Sequence, residues 1–368
     1  MARLSVEERL ALHRAYWSGA PMQEPIVSYR IGDFFYTKYY NGLAKLRVKD
    51  TVVTADMVCV DDFIDDYERM FQECEEAEQT AFWTAEPCIA FPWMEAMMGC
   101  PIKGEESAFM ALPTCEDPEE LEDLVLDPKN PWYLKYMEFT KRLVELSQGR
   151  FPVSQSLLRG VSDVVGTKMG QGNFPYAVMD EPELMQKRFN QVAEALHKLT
   201  EEQYKLIPPF HGGYSSGLYS LWAPGKMVWY QEDLAAILSK NHYNQFLRAT
   251  SKRICEGYDY TMVHLHPVSF HHLDDMLKVD EIKCFQINKD VSGPGVKDML
   301  PQFKKVIEAD KCLAILAELN EEEVALLMDE LPHKRLFLHL AVPSVERARE
   351  INKVITKRWR NSHAIPAM

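Results

Sequence analysis

Apolar runs typical of buried strands alternate with amphipathic helical segments through much of the chain. "YTMVHLHP" is followed by "HHLDDMLKV", and "IKCFQINKD" by "VKDMLPQFKKVIEA". The same order recurs in "KCLAILAEL" with "NEEEVALLMDEL" and in "RLFLHLAV" with "PSVERAREINKVITKRW". Because the strand period and the helix period take turns, these segments predict serial strand–helix units and a parallel sheet.

The first 85 residues have a different pattern, in which a helix precedes the aromatic stretch "PIVSYRIGDFFYTKYYNG" and an acidic helix. We interpret residues 1–85 as a cap packed on a barrel of residues 86–368, the two forming one structural domain. No Ser/Gly-rich linker divides residues 110–360, and no GxGxxG follows an early strand. The predicted fold is α/β, a single (β/α)8 TIM barrel with an N-terminal helical and aromatic cap. Its functional groups are expected at the C-terminal ends of the strands.

Composition narrows the function classes. A formal charge of −14 and a pI near 5.3 leave no basic field for a phosphate backbone, so nucleic acid is excluded as a partner. No run approaches the roughly 20 apolar residues of a membrane span, and the N-terminal helix lacks a signal-peptide core. The eight cysteines show no CxxC spacing, which predicts reduced thiols. We expect a soluble cytoplasmic protein.

Four segments carry a resemblance to a known superfamily. "LRGVSDVVGTKMGQGNFPYAVMDEPELM" (158–185) is similar to a strand end, a Gly-rich helix and a "DDPE" helix start, and "QEDLAAILSKNHYNQFLRATSKRI" (231–254) to an acidic strand end followed by a helix. "VHLHPVSFHHLDDML" (263–277) lies where a "His-x-Cys-Gly" strand end is found, and "VPSVERAREINKVI" (342–355) resembles a terminal "TPxEN" helix. In this order the segments resemble the uroporphyrinogen decarboxylase superfamily, whose members are single (β/α) barrels.

The resemblance favours one branch of that superfamily. The true decarboxylases carry an arginine-rich N-terminal signature that clamps the propionates of a tetrapyrrole, whereas the corresponding region here, "APMQEPIVSYRIGDFFYTKYY", has only Arg30 and many aromatic residues. The other branch comprises zinc methyltransferases that exchange methyl groups with a corrinoid protein, among them aryl methyl ether demethylases. The resemblance also implies a homodimer.

Two histidines are the leading metal ligands. His264 and His266 are two residues apart in a predicted strand, so both side chains can face the barrel interior. The resemblance aligns His264 with the His of the family's His-x-Cys motif and His266 with its Cys. A His-x-His pair would give a metal ion less negative charge than a His-x-Cys pair does. The third ligand stays open between His339, near the family's last ligand, and Glu318, at the end of another strand. A histidine inside a core more often makes hydrogen bonds than binds a metal.

Three polar residues at strand ends are candidate catalytic groups. Glu232 and Asp233 follow the strand "KMVWY", and Asn288 ends the strand "CFQIN". A general acid or a partner of a zinc-bound histidine is the functional interpretation of the two acids. The alternative is that Asp233 caps the next helix. Asn288 is expected to hydrogen-bond substrate.

Aromatic residues concentrate in the predicted cap and in a Gly/Ser/Tyr-rich loop, and this favours a small apolar or aromatic ligand, although some of them are core. His211 lies on that loop, which is either a lid over the substrate or a plain surface loop. His271 and His272 are expected at the periphery. The predicted substrate-binding residues are Phe174, Tyr176, His211, Tyr214, Trp222 and Trp229. The other aromatic residues considered are Phe34, Phe35, Tyr36, Tyr39, Tyr40, Trp83, Phe91 and Trp93.

The leading hypothesis is a zinc-dependent methyltransferase that demethylates a small substrate, with an aryl methyl ether as an example, and passes the methyl group to a corrinoid protein. No Asp-x-His-x-x-Gly corrinoid signature occurs in the chain, so the corrinoid is expected on a partner protein. Two rivals stay open. One is a metal-free decarboxylase, a lyase acting on a smaller acid. The other is a non-catalytic barrel that binds a corrinoid or tetrapyrrole.

Overall fold

A computed structural model describes residues 4–32 and 39–362, with side chains as far as residue 359. Phe34, Phe35 and Tyr36, which were considered for the aromatic cap, lie outside the described residues. The strands are β1 Ile26–Ile31, β2 Thr51–Val53, β3 Ile102–Gly104, β4 Phe109–Ala111, β5 Tyr214–Ser216, β6 Leu221–Ala223, β7 Met227–Gln231, β8 Tyr260–Leu265, β9 Cys284–Asn288, β10 Cys312–Ala317 and β11 Leu336–Val342.

The helices cover the outside of the central sheet and the N-terminal region. They are α1 Val6–Ser18, α2 Ile64–Glu76, α3 Trp93–Met97, α4 Pro131–Ser147, α5 Val161–Met169, α6 Phe174–Asp180, α7 Pro182–Tyr204, α8 Lys240–His242, α9 Arg248–Cys255, α10 Leu273–Met276, α11 Val296–Glu308, α12 Glu321–Glu330 and α13 Val345–Ser362. A π-helical turn, Tyr243–Leu247, joins α8 to α9. Short 3-10 turns follow β7 at Asp233–Ile237 and β8 at Pro267–His272.

Six parallel strands form the central sheet, in the order β1-β11-β10-β9-β8-β7. Every residue of β1, β10 and β11 is buried, because helices and the sheet interior cover both faces, as is usual for parallel strands. The pairing of β7 with β8 and of β8 with β9 aligns Gln231, His264 and Gln286 side by side. Three polar residues therefore share one level of an otherwise apolar sheet.

Two further segments connect the edge strands of this sheet. Thr80 N and Ala81 N both donate to the Val27 carbonyl oxygen of β1. Ala85 forms an isolated parallel bridge with Val153, and Arg159 forms one with Gln231 of β7. Residues 80–85 and 153–160 therefore run between β1 and β7 without becoming regular strands. The α/β class and the parallel sheet are confirmed, in the form of a six-stranded sheet.

The N-terminal segment contributes to the sheet as well as covering it. β1 lies within residues 1–85, which the sequence pattern assigned to a cap, and it pairs in parallel with β11 along six residues. The physical reason is that every residue of "IVSYRI" is buried between β11 and the segment at 80–81. The sheet therefore begins before residue 86, the predicted start of the barrel.

Helix α1 packs on the β5–β6 hairpin. Its N-terminus has a capping box between Ser5 and Glu8, and it ends at Gly19, whose φ of 73° suits a residue without a Cβ atom. His13 Nδ1 and Trp17 Nε1 both contact the Trp222 carbonyl oxygen, at 3.0 and 2.9 Å. These contacts fix the hairpin, so its tip at 217–220 has a defined position inside the molecule.

Two other sequence-based expectations concern cysteines and membranes. All eight cysteines are free thiols, seven of them buried. Among the described residues, no helix combines the length and the apolar character needed to cross a membrane.

Candidate metal centre

Asp233, His264 and His266 converge at the C-terminal ends of two adjacent strands. Asp233 begins the turn after β7, His264 is the fifth residue of β8, and His266 follows β8 directly. One possible ligand atom from each lies within 4.8 Å of the other two, and within the described part of the chain these residues form the one such group of histidine, cysteine and acidic side chains. The parallel pairing of β7 with β8 brings them together, since both strands end at the same edge.

The two imidazole rings present the same nitrogen to Asp233. His264 Nε2 lies 3.8 Å from Asp233 Oδ1, and His266 Nε2 lies 3.8 Å from Asp233 Oδ2. The other nitrogens are engaged elsewhere. His266 Nδ1 is 2.6 Å from Asp290 Oδ1, and His264 Nδ1 contacts Gln286 Oε1. Because carboxylate and amide oxygens accept hydrogen bonds, both Nδ1 atoms carry the proton and both Nε2 atoms offer a lone pair.

These donors fit a metal ion of the zinc type. Ligand atoms about 2.1 Å from a tetrahedral zinc are roughly 3.4 Å apart, close to the distances between the Nε2 atoms and the Asp233 oxygens. Asp233 Oδ1 is buried and has no hydrogen-bond partner among the described residues. Two imidazole nitrogens and one carboxylate oxygen make a three-ligand set, which leaves a coordination position for substrate, as catalytic zinc sites do.

Charge and burial act differently on the two histidines. Burial lowers the pKa of His264, so its neutral form is favoured although Asp233 is nearby. Burial also opposes the charged form of His266, but the hydrogen bond that His266 donates to Asp290 and the negative charge of Asp233 outweigh it, and the pKa of His266 is raised. Without a metal ion, His266 therefore holds a proton more readily than an ordinary histidine does.

Glu232, one of the predicted catalytic residues, interacts with a helix N-terminus. Its Oε1 accepts from Val161 N at 3.0 Å, and its Oε2 accepts from Ser162 N at 2.8 Å and from Ser162 Oγ at 2.5 Å. The carboxylate thus satisfies amide groups in the first turn of α5, which the helix itself leaves unpaired. Burial nevertheless raises the pKa of Glu232 to about 7. Its position is that of a helix cap, beside the three-residue group.

The buried carboxyl group of Asp163 helps to position the segment that carries Asp233. Asp163 Oδ1 accepts from Leu234 N at 2.7 Å, and Gln231 Nε2 lies between Asp163 Oδ2 at 3.3 Å and Asp233 Oδ2 at 2.9 Å. Burial raises the pKa of Asp163 far above its usual range, and the charges of Asp233 and Glu232 add to this. The Gln231 amide therefore holds Asp233 Oδ2 in place and leaves Oδ1 without a partner.

The remaining candidate ligands lie outside the group. His339, on β11, is separated from His264 by the ring of Tyr219, which contacts both histidine rings. The Glu318 side chain is exposed at the end of β10. Asn288, predicted to hydrogen-bond substrate, accepts from Gln286 Nε2 at 3.0 Å, and it is Gln286 that contacts His264. Asp233, which the sequence suggested as a general acid or as a helix cap, is instead the third member of the group with His264 and His266.

The predicted substrate-binding residues are dispersed. Phe174 and Trp222 are fully buried, and Trp222 donates from Nε1 to the Phe210 carbonyl oxygen. Trp229 is also buried, with its ring 5.2 Å from that of Tyr219. Tyr176 is 67% exposed on α6, and His211 is exposed at a φ of 48°. Tyr214 stacks edge-on with a tyrosine of α7. Of these residues, Trp229 packs on the Tyr219 ring, which in turn stacks on His264.

Several residues of this region, Gln231 and Asp163 among them, were not found from the sequence. Gln286 and Asp290 had a usable signal, because they flank Asn288 at two-residue spacing at a strand end. Tyr219 had none, since its Oη reaches His264 Nδ1 at 3.0 Å from a hairpin 45 residues earlier in the chain. His271 and His272 bond to main-chain carbonyl oxygens of the segment after β7 and stay outside the group.

Comparisons with known proteins relate the chain to one solved structure in particular. No family model and no curated protein sequence matches it. A methyltransferase from Methanosarcina mazei is similar in structure, with a TM-score of 0.61 at 14% sequence identity. The match covers 95% of this chain and 97% of that protein. At this identity the likeness shows that the two chains share a fold over almost their whole length.

Proposed function

We propose that this protein is a zinc-dependent methyltransferase of the uroporphyrinogen decarboxylase superfamily. Residues 80–85 and 153–160 would supply the two segments that close the six-stranded sheet into a (β/α) barrel. The observation that carries the proposal is the arrangement of His264, His266 and Asp233, with both Nε2 lone pairs facing one carboxylate and both Nδ1 atoms held by oxygen acceptors.

His264, His266 and Asp233 would hold the zinc, which supplies Lewis-acid polarisation of the heteroatom that bears the methyl group. Gln286 and Asp290 orient the two rings from behind. Gln231 fixes Asp233 through Oδ2. A small methylated molecule, such as an aryl methyl ether, would bind over the strand ends, and a corrinoid on a partner protein would accept the methyl group.

Two independent observations support methyl transfer. The likeness to a methyltransferase extends over 95% of this chain, so the whole architecture is shared and not only one motif. The segments that resemble the zinc methyltransferase branch include residues 263–277, which contain two of the three converging side chains. The acceptor is inferred from that resemblance, because corrinoid exchange is what the branch has in common.

Metal analysis tests the centre directly. We expect about one zinc per chain in purified protein, and a loss of most of it in His264→Ala, His266→Ala and Asp233→Asn. His271→Ala, a nearby histidine outside the group, is the matched control and should keep its zinc. Circular dichroism establishes that each variant is folded. Full zinc content in the double variant His264→Ala/His266→Ala would refute the assignment.

Methyl transfer is tested with free cob(I)alamin. A methoxylated aromatic mixed with the protein alone should show no steady demethylation, because the described centre contains no nucleophile to receive the methyl group. Addition of cob(I)alamin should give methylcobalamin, which is followed by absorbance. Sustained turnover without cobalt, or zinc-free protein that releases CO2 from a small acid, would favour the lyase. Ligand binding without either reaction would favour a binding barrel.

A further inference from the structure

Arg159 lies at the level of the candidate metal centre, on the segment next to β7. It forms a parallel bridge with Gln231, which is paired with His264 in turn. Gly160 N also donates to the Gln231 carbonyl oxygen at 2.8 Å, which fixes this alignment. Side chains at paired positions of parallel strands point to the same face of a sheet. Gln231 and His264 both approach Asp233 on one face, and Arg159 is therefore directed to that face as well.

The separation between Arg159 and the histidines suits one small molecule. Neighbouring strands lie about 4.8 Å apart, so the Cα atoms of Arg159 and His264, two strands apart, are separated by roughly 10 Å. The negative charge of Glu95 raises the pKa of Arg159 above its ordinary value, partial burial opposes this, and the charge of Asp233 adds to the rise. The guanidinium is therefore close enough to interact with the carboxylate that would hold the metal.

A buried carboxylate holds the guanidinium by one end. Arg159 Nη1 donates to Glu95 Oε1 at 2.9 Å, and the Glu95 side chain, on α3, is completely buried. No hydrogen bond within the described chain engages Nε or Nη2 of Arg159, and 36% of this arginine side chain is exposed. Nε and Nη2 offer two parallel N–H donors, a geometry that matches the two oxygens of a carboxylate.

Stability alone does not account for an ion pair at this place. Taking charges out of water opposes folding, and apolar residues of similar volume are often as stabilising as a buried pair. What the buried Glu95 carboxylate provides is a fixed orientation of the Arg159 guanidinium. A cation that is oriented before its ligand arrives loses little conformational entropy on binding. The pair therefore has the properties of an anion site with one edge open.

Two lysines of the same region are engaged elsewhere. Lys289, directly after β9, forms an ion pair with Glu323 at 3.3 Å. Lys168, on α5, is buried and donates to the Met98 carbonyl oxygen at 2.7 Å. Neither directs its charge to the three-residue group, whereas Arg159 does.

We propose that Arg159 binds the carboxylate of the substrate, so that the molecule demethylated at the metal centre is a methylated acid in its anionic form. Nε and Nη2 would donate to the two carboxylate oxygens while the heteroatom that bears the methyl group lies at the metal. A neutral methyl ether lacks the group that Arg159 recognises. The transfer of the methyl group rests on the proposed function, whereas the anion site rests on Arg159 and Glu95.

Calorimetric titration with 3-methoxybenzoate and 3-methoxybenzamide tests the anion site without any methyl transfer. The two probes have the same shape and differ in charge. We expect the protein as purified to bind the carboxylate about tenfold more tightly than the amide, the effect of charge-assisted hydrogen bonds at a partly exposed cation. Methoxyacetate should be preferred over methoxyacetamide in the same way, because Arg159 recognises the carboxylate and not a ring.

Variants of the ion pair assign this preference to Arg159. Arg159→Gln should bind the carboxylate and the amide almost equally, and Arg159→Lys should keep part of the preference, because an ammonium group retains the charge without the paired donors. Arg142→Gln removes an arginine of α4 that is similarly exposed and also paired with an acid, so it is the matched control and should keep the full preference. Arg159→Gln leaves Glu95 buried without its partner. Arg159→Gln/Glu95→Gln, in which neither charge remains, therefore replaces it if circular dichroism shows that the single variant does not fold.

The outcomes separate this inference from the metal assignment. Equal affinity of the unaltered protein for the carboxylates and the amides, or no measurable binding of either carboxylate, would overturn the anion site. A tenfold preference that survives in the folded glutamine variant would also overturn it, since the carboxylate would then bind elsewhere. If neither glutamine variant folds, Arg159→Lys decides, and an unchanged preference there overturns the inference. Zinc-free protein whose preference is lost in Arg159→Gln would refute the proposed function and support the anion site, whereas zinc-containing protein without any preference would overturn the anion site alone.

Discussion

Glu232 and Asp233 are adjacent acids at the end of β7, and their surroundings differ completely. Three hydrogen bonds from the first turn of α5 occupy the Glu232 carboxylate. Asp233 has one oxygen bonded to Gln231 and the other directed at His264. At the scale of residues, therefore, one acid belongs to a helix terminus and its neighbour to the candidate metal centre.

Exchange of each acid for its amide should separate these roles. Glu232→Gln is expected to keep its zinc but to lose about 1 kcal/mol or more of the free energy of unfolding, because the amide satisfies the α5 terminus less well than a carboxylate. Asp233→Asn should lose zinc with a smaller effect on stability. Urea denaturation and metal analysis on both proteins measure this, with Glu183→Gln at the exposed start of α7 as the control. Zinc loss in Glu232→Gln without loss of stability would contradict the assignment of Glu232 to the helix terminus and of Asp233 to the metal centre.

Asp290 offers a second test at this scale. Its carboxylate bonds His266 Nδ1 at 2.6 Å and so fixes the ring that presents Nε2. Asp290→Asn is expected to weaken zinc binding by roughly 10- to 100-fold, the usual effect of removing such a partner. Competition with a chromogenic chelator gives the affinity. Asp280→Asn, an exposed acid in the turn before β9, should behave as the unaltered protein. Equal affinities for zinc in the two variants would show that Asp290 does not orient His266.

At the scale of elements, α1 determines where the β5–β6 hairpin lies. His13 is fully buried beneath this contact, stacked on Phe82 at 5.6 Å and bonded to the Trp222 carbonyl oxygen. Burial lowers the pKa of His13 to about 3. The same hairpin places Tyr219 next to His264, so the packing of α1 influences the position of a residue that contacts the candidate centre.

The buried His13 should make stability depend on pH. In the unfolded chain a histidine takes up a proton near pH 6.5, whereas folded His13 does so only near pH 3, so stability falls as the pH decreases from 6.5 towards 3. At pH 5 this amounts to as much as about 2 kcal/mol. His13→Asn keeps a donor for the Trp222 carbonyl oxygen and removes the titration, so its loss of stability between pH 7 and pH 5 should be smaller. Urea midpoints at both pH values give the comparison, and His271→Asn should retain the full dependence. An unchanged slope in His13→Asn would contradict the assignment.

At the scale of the whole molecule, the net charge of −14 acts on every ligand that approaches. Arg30 is the one arginine of the segment "APMQEPIVSYRIGDFFYTKYY", and it is buried near the end of β1. No cluster of arginines in this segment therefore offsets the repulsion of a ligand with many carboxylates.

We expect the protein to bind small methoxylated aromatics more tightly than polycarboxylated tetrapyrroles. Calorimetry with both ligand classes at low and at physiological salt measures the difference. Higher salt should weaken the repulsion of the tetrapyrrole and leave the binding of a neutral aromatic nearly unchanged. Tighter binding of the tetrapyrrole at either salt concentration would reverse this ranking and favour a decarboxylase or a tetrapyrrole receptor.

The sequence by itself determined the parallel α/β architecture and the strand that carries two histidines. Both follow from local periodicity: buried strands and amphipathic helices alternate, and His264 and His266 are two residues apart, so they lie on the same side at the end of one strand. Local periodicity also suffices to place Asp233 and Asn288 at strand ends.

Only the tertiary structure decided which of these groups meet. The register of β7 against β8 directs Asp233 to the histidines, while His339 is held apart by a tyrosine from a distant hairpin and Glu318 is exposed. β1 likewise joins the sheet through pairing with the last strand of the chain, a partner more than 300 residues away. Contacts of this kind depend on strand order and on side-chain orientation across the sheet, and neither quantity is encoded in the spacing of residues along one segment.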